Sequence, residues 1–141
     1  PANTVFGGKA AVILSNKVMH QCVESLLGAE KYQERDVFRL SLKPDPSKES
    51  AYSEVLSLVD FQSCTVLLTE FFAGDLGMVK KMTGNAGSLV YTDTDKRWLL
   101  AEQRMDNLQA STHTLLKIKN SEFDIKLPSR IFNPKTFSKA R

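Results

Sequence analysis

Cysteine is scarce in this chain: Cys22 and Cys64 are the only two in 141 residues, too few for a disulfide scaffold. They point to a reducing compartment, and each reads as a small buried hydrophobe. Histidine is equally rare. His20 and His113 stand far apart, with no Asp or Cys at the spacing of a nucleophile site. His20-x-Cys22 would supply half a metal site at most, and two further ligands of recognisable spacing are missing. No apolar run is long: Ala10 to Leu14 falls far short of the roughly 20 residues that cross a bilayer. Pro1-Ala2-Asn3 carries neither a basic nor an apolar leader, so no targeting signal is expected. Nucleotide and nucleophile motifs of the GxGxxG, Walker and GxSxG types are absent. Gly84-Asn85-Ala86-Gly87 lacks the lysine and helix of a phosphate cradle and reads as a plain hairpin turn. These absences predict a protein that is not an enzyme and needs neither metal nor cofactor.

What is present is an ordinary globular composition, 42% hydrophobic and 25% charged, in a length that suits one domain over residues 1–141. Such a chain can bury a core without staples. Nineteen basic against sixteen acidic residues leave a net charge of +3. That excess bears on function only if the basic groups gather on one surface.

Along the chain, residues 5–14 read as a strand that opens on a bend at Gly7-Gly8. The stretch from Lys17 to Leu27 fits a helical face through Val18, Cys22, Val23 and Leu26, or a strand through Val18, His20 and Cys22. Asp36 to Lys43 alternates cleanly. Phe38, Leu40 and Leu42 are expected inside, with Val37, Arg39, Ser41 and Lys43 on a basic outer side. Pro44 and Pro46 break the chain, and Ser47 is placed to cap a helix running to about Asp60. Ala51, Val55, Leu58 and Val59 would form its inner stripe. Strands are then expected at Cys64–Phe72, Met78–Met82, Ser88–Tyr91, Arg97–Met105, Thr112–Lys119 and Phe123–Leu127, with a hairpin corner at Asp93-Thr94-Asp95. The fold class predicted is α+β, two antiparallel sheets with a helix after the first.

Basic residues fall on or beside the predicted strands: Lys9, Arg39, Lys43, Lys80, Lys81, Arg97, Arg104, Lys117 and Lys119. Shared parity places Arg39 with Lys43, and Lys117 with Lys119, on one face each. A sheet face studded in this way can follow phosphates without reading bases, so these nine are the candidate nucleic-acid contacts. A merely solvated face is the alternative. Phe38, Phe72 and Trp98 sit among apolar neighbours and read as core rather than as stacking platforms.

In order, several segments resemble the Whirly fold. Gly7-Gly8-Lys9-Ala10-Ala11-Val12 stands where that family has its opening strand. Val18-Met19-His20-Gln21, Tyr32, and Val37-Phe38-Arg39-Leu40-Ser41-Leu42 follow. Ser63-Cys64, Glu70-Phe71-Phe72 and Val79-Lys80-Lys81 come next. The plant members' Tyr-Asp-Trp and Thr-Glu-Ile-Gly sequences are missing, which favours the trypanosomatid mitochondrial guide-RNA-binding branch. The resemblance implies sequence-tolerant binding of guide RNA in the mitochondrion, promoting its annealing to messenger RNA. It also implies a heterotetramer with a related Whirly-like subunit and no membrane partner. A plant-like single-stranded-DNA-binding protein, or a structural subunit that binds no nucleic acid, would suit the same surface.

Overall fold

The computed structural model describes residues 22–129. The strand expected at 5–14, Lys9, His20 and the tail from Ile131 lie outside the described residues.

Among the described residues nine strands follow one another: β1 Cys22–Tyr32, β2 Arg35–Pro44, β3 Glu54–Asp60, β4 Val66–Phe72, β5 Met78–Gly84, β6 Leu89–Thr92, β7 Arg97–Leu100, β8 Glu102–Asn107 and β9 Thr112–Lys117. Seven of them form one sheet in the order β1-β2-β3-β4-β5-β8-β9, and β6 pairs with β7 in a separate two-stranded sheet. Every pairing is antiparallel, so the large sheet is a meander interrupted by one inserted hairpin. Among the described residues there is no α-helix, only 3-10 turns at Gly74–Leu76 and Ala86–Ser88. The α+β class expected from the sequence is therefore wrong.

The helix expected from Ser47 to Asp60 is a loop followed by β3. Its proposed cap is spent locally, because the Ser47 hydroxyl and amide both donate to Asp45 Oδ1, at 2.7 and 2.8 Å. Beyond the loop, Glu-Val-Leu-Ser-Leu-Val-Asp lies between β2 and β4, with burial on both sides. A strand covered on both faces loses its period-two pattern and mimics a buried helix, leaving only its shortness and its valines to identify it. Arg97–Met105 also divides. Ala101 separates β7, in the hairpin, from β8, in the main sheet. Phe123–Leu127 forms no strand, and Asp124 instead turns back to accept from Arg97 at 3.1 Å.

Residues directly opposite in antiparallel strands share a face. One face carries the row Leu26, Leu40, Ser57, Thr69, Met82, Met105 and Thr114. Around it lies a cluster of Leu42, Tyr52, Val55, Phe71, Val79, Met82 and Met105. Val37, Leu58 and Leu68 stand on the opposite face and join Leu67, Ala86 and Leu100 in a second cluster. With a core on each side, the expected facing of β2 fails in part. Val37 is fully buried and Ser41 nearly so, while Phe38 is 38% exposed and stacks on Phe61 at 3.8 Å between ring centroids.

Two local devices shape this sheet. Between β1 and β2 the chain reverses over Gln33 and Glu34, both at positive φ (47° and 62°), the conformation of a two-residue hairpin turn. In β1, Gly28 adopts φ 141° where the register slips past Leu27, a bulge that bends this strand.

Gly84, at the end of β5, has a different reason to be glycine. A Cβ there would stand 2.5 Å from Leu100 Cδ2 and 3.3 Å from the Leu67 carbonyl. Gly84→Val is expected to cost about 1–3 kcal/mol by overpacking the second cluster. A chemical-denaturation midpoint unchanged by the substitution would refute that close packing.

Candidate functional site

The hairpin tip that carries Gln33 folds back on distant chain. Gln33 Nε2 donates to the Gly84 carbonyl at 2.8 Å, and its Oε1 accepts from the Ala86 amide at 2.8 Å. This clamp forms one wall of a groove of about 580 Å³, whose floor comes from β5, β8 and β9. The volume falls in the range of small-molecule sites, roughly 300–1,000 Å³.

Strand register explains the groove's lining. The row Leu58, Leu68, Thr83, Arg104, Leu115 begins in the second cluster and runs out across the sheet. Beside it, Glu70, Lys81, Asp106 and His113 are successive cross-strand partners. Glu102 opposite Lys117 completes the polar set. Leu115 ends its row 59% exposed and gives the groove an apolar margin.

The charges are paired but wet. Arg104 Nη2 lies 2.8 Å from Asp106 Oδ1, Lys117 Nζ lies 3.3 Å from a Glu102 oxygen, and Lys81 Nζ lies 3.7 Å from a Glu70 oxygen. The hydrogen bond from Arg104 holds the Asp106 carboxyl below its usual range, with Arg104, His113 and Lys81 charges adding to it. Glu102 is lowered chiefly by the hydrogen bond from Asn85 and then by Lys117. Among the described residues no cluster of His, Cys, Asp and Glu could hold a metal ion.

Three of the basic residues singled out from the sequence, Lys81, Arg104 and Lys117, meet in this groove. The others are dispersed. Lys80 points to the opposite face, where it donates to the Tyr52 hydroxyl at 3.2 Å. Arg39 is held by Glu30 through two hydrogen bonds of 2.8 and 2.9 Å. Arg97 belongs to the separate hairpin and pairs with Asp124. Lys43 is exposed near the end of β2, and Lys119 is exposed beyond β9. Lys9 lies outside the described residues. The residues do not form one basic face, because each of Arg39, Lys81, Arg97, Arg104 and Lys117 has a carboxylate beside it: from a neighbouring strand for Arg39, Lys81 and Lys117, from the same strand for Arg104, and from the segment after β9 for Arg97. Gln33, Glu102 and Leu115 were missed by sequence reasoning. Nothing in the sequence signals that Gln33 reaches across 51 residues to Gly84. Cys64, expected in the core, is exposed instead.

An antiparallel meander with an inserted hairpin and a groove on one face defines the structural class. The chain belongs to the family whose model, described as uncharacterized protein-like, matches residues 14–139. Three solved structures share its fold. A DUF1329 family protein from Desulfovibrio piger matches with a TM-score of 0.75 at 18% identity, over 95% of this chain and 55% of its own. A Vibrio parahaemolyticus domain named for outer membrane lipoprotein sorting gives 0.69 at 24% identity, over 84% of this chain and 48% of its own. A LolA superfamily protein from Nitrosomonas europaea gives 0.57 at 18% identity, over 82% and 50%. The chain thus spans about half the length of these structures. No curated protein matches its sequence.

These matches overturn the Whirly resemblance and what it implied: guide RNA and messenger RNA as partners, the heterotetramer, and the plant-like DNA-binding alternative. The mitochondrial expectation rested on the same resemblance and loses its support with it. The motifs misled because alternation such as Val37 to Leu42 is common to exposed-edge and two-sided strands of any antiparallel sheet.

Proposed function

We propose that this chain is a carrier-type binding domain, without catalysis of its own, that holds the apolar part of a lipid or lipoprotein in the groove beside β9. The observation that carries the reading is Leu115. It is a large apolar side chain left 59% exposed at the margin of a groove that also carries Lys81, Glu102, Arg104 and Asp106. Such a lining suits an amphiphile, with its chain along Leu115 and its polar end toward Lys81, Arg104 and Asp106. The likeness to a domain named for lipoprotein sorting supports the same class of ligand.

Titration with the neutral apolar dye N-phenyl-1-naphthylamine tests this. Binding should raise its fluorescence saturably, and a single-chain amphiphile should displace it. Removing a buried leucine contact is worth about 1.5–3 kcal/mol, so Leu115→Glu should weaken binding roughly tenfold or more. Equal affinity in wild type and variant, with both folded, would place the ligand elsewhere.

A further inference from the structure

Resting on the carrier reading, we infer that the groove selects an amphiphile with a zwitterionic polar end, an anionic group and an ammonium within one headgroup, over one whose headgroup is only anionic.

The inference comes from comparing two kinds of ion pair in the same sheet. Arg35 and Asp60 form a closed pair. Nε and Nη2 of Arg35 donate to the two Asp60 oxygens at 2.6 and 2.9 Å, and the side chains are 24% and 2% exposed. Ser63 adds its amide and its hydroxyl to Asp60 Oδ2, at 2.8 and 2.7 Å. Both Asp60 oxygens are thereby occupied, and the carboxylate is out of reach of a ligand. In the groove the pairs are open. Arg104 is 49% exposed and sends both Nε and Nη2 to the same oxygen, Asp106 Oδ1. Asp106 Oδ2 accepts no hydrogen bond among the described residues, and Arg104 keeps further N–H donors. Lys117 and Glu102 are exposed and 3.3 Å apart.

Each pair can therefore exchange its partner for a ligand group without stranding a buried charge. Both signs must be satisfied together. A headgroup that is only anionic gains from Lys81, Arg104 and Lys117 but also lies against Asp106 and Glu102, and such like-charge contacts are costly. A zwitterion meets both signs at once. Leu115, opposite Arg104 on β9, then receives the first part of the chain.

The test is displacement of N-phenyl-1-naphthylamine by palmitoyl lysophosphatidylethanolamine and by palmitoyl lysophosphatidylglycerol, both below their micelle concentrations. The first should compete at least roughly tenfold more strongly, a difference of about 1.4 kcal/mol. Asp106→Asn should shrink that preference, and Arg104→Gln should weaken the zwitterion without favouring the anion. Glycerophosphoethanolamine, which has the headgroup and no chain, should displace the dye only weakly. Equal competition by the two lysolipids, or a preference for the anionic one, overturns the headgroup inference and leaves the carrier reading standing. Competition by neither removes the carrier reading and this inference together.

Discussion

Asp60→Ala is expected to lower stability by about 3 kcal/mol and the melting temperature by roughly 10 °C. Asp60 ends β3 with its side chain 2% exposed, and it receives four hydrogen bonds, two from Arg35 and two from Ser63. Through Arg35 it fixes the start of β2, and through Ser63 it fixes the turn into β4. Removing it leaves a guanidinium with no carboxylate beside the second core cluster. Breaking a buried pair costs about 3–5 kcal/mol, and the low end applies because Arg35 keeps some access to water.

The same contact fixes a pH dependence. The hydrogen bonds from Arg35, the largest influence, lower the Asp60 pKa from 3.8 to about 2 against the opposing effect of burial. A carboxylate with a depressed folded pKa contributes stability that is full above its ordinary pKa. The contribution is lost as pH falls through the folded one. The gap between wild type and Asp60→Ala in thermal melts should therefore be constant near neutrality. It should narrow from about pH 5 downward and lose about 2 kcal/mol by pH 2. A gap independent of pH would show that the variant acts through lost packing rather than through the charge.

Leu67→Ala should cost about 2–5 kcal/mol, seen as a lower urea midpoint with an unchanged slope. Leu67 is fully buried and occupies the bulge where β4 slips against β3, between Val66 and Leu68. Its neighbours in the second cluster, Val37, Leu58 and Leu100, are held by three different strands, so the space it vacates cannot easily close. Leu76→Ala, at a site 68% exposed, should change stability by less than about 0.5 kcal/mol and serves as the control. Equal effects at the two sites would contradict the placement of this core.

The two core substitutions also mark what the sequence could reveal. β2 was legible because its residues alternate in type, and the Asp93-Thr94-Asp95 corner was legible because turn residues cluster there. β3 was not, since a strand buried on both faces carries apolar residues at every offset. The turn at Gln33-Glu34 has neither Asn nor Gly to announce its positive φ angles. The groove's location was partly visible, because Lys81, Arg104 and Lys117 were correctly placed on strands. Their neutralisation was hidden. Glu70, Asp106 and Glu102 reach them, or stand beside them, through register and i,i+2 contacts on one face. A list of basic residues does not contain that register. Counting cations along the chain therefore suggested a polyanion site, whereas the folded surface offers both signs beside exposed leucine.

The most direct test of the carrier reading is native mass spectrometry of the purified chain after incubation with one equivalent of palmitoyl lysophosphatidylethanolamine. The expected result is a one-to-one adduct that survives gentle desolvation in the wild type and is depleted in Leu115→Glu. A spectrum showing only the unliganded chain, from protein that melts cooperatively, would contradict it.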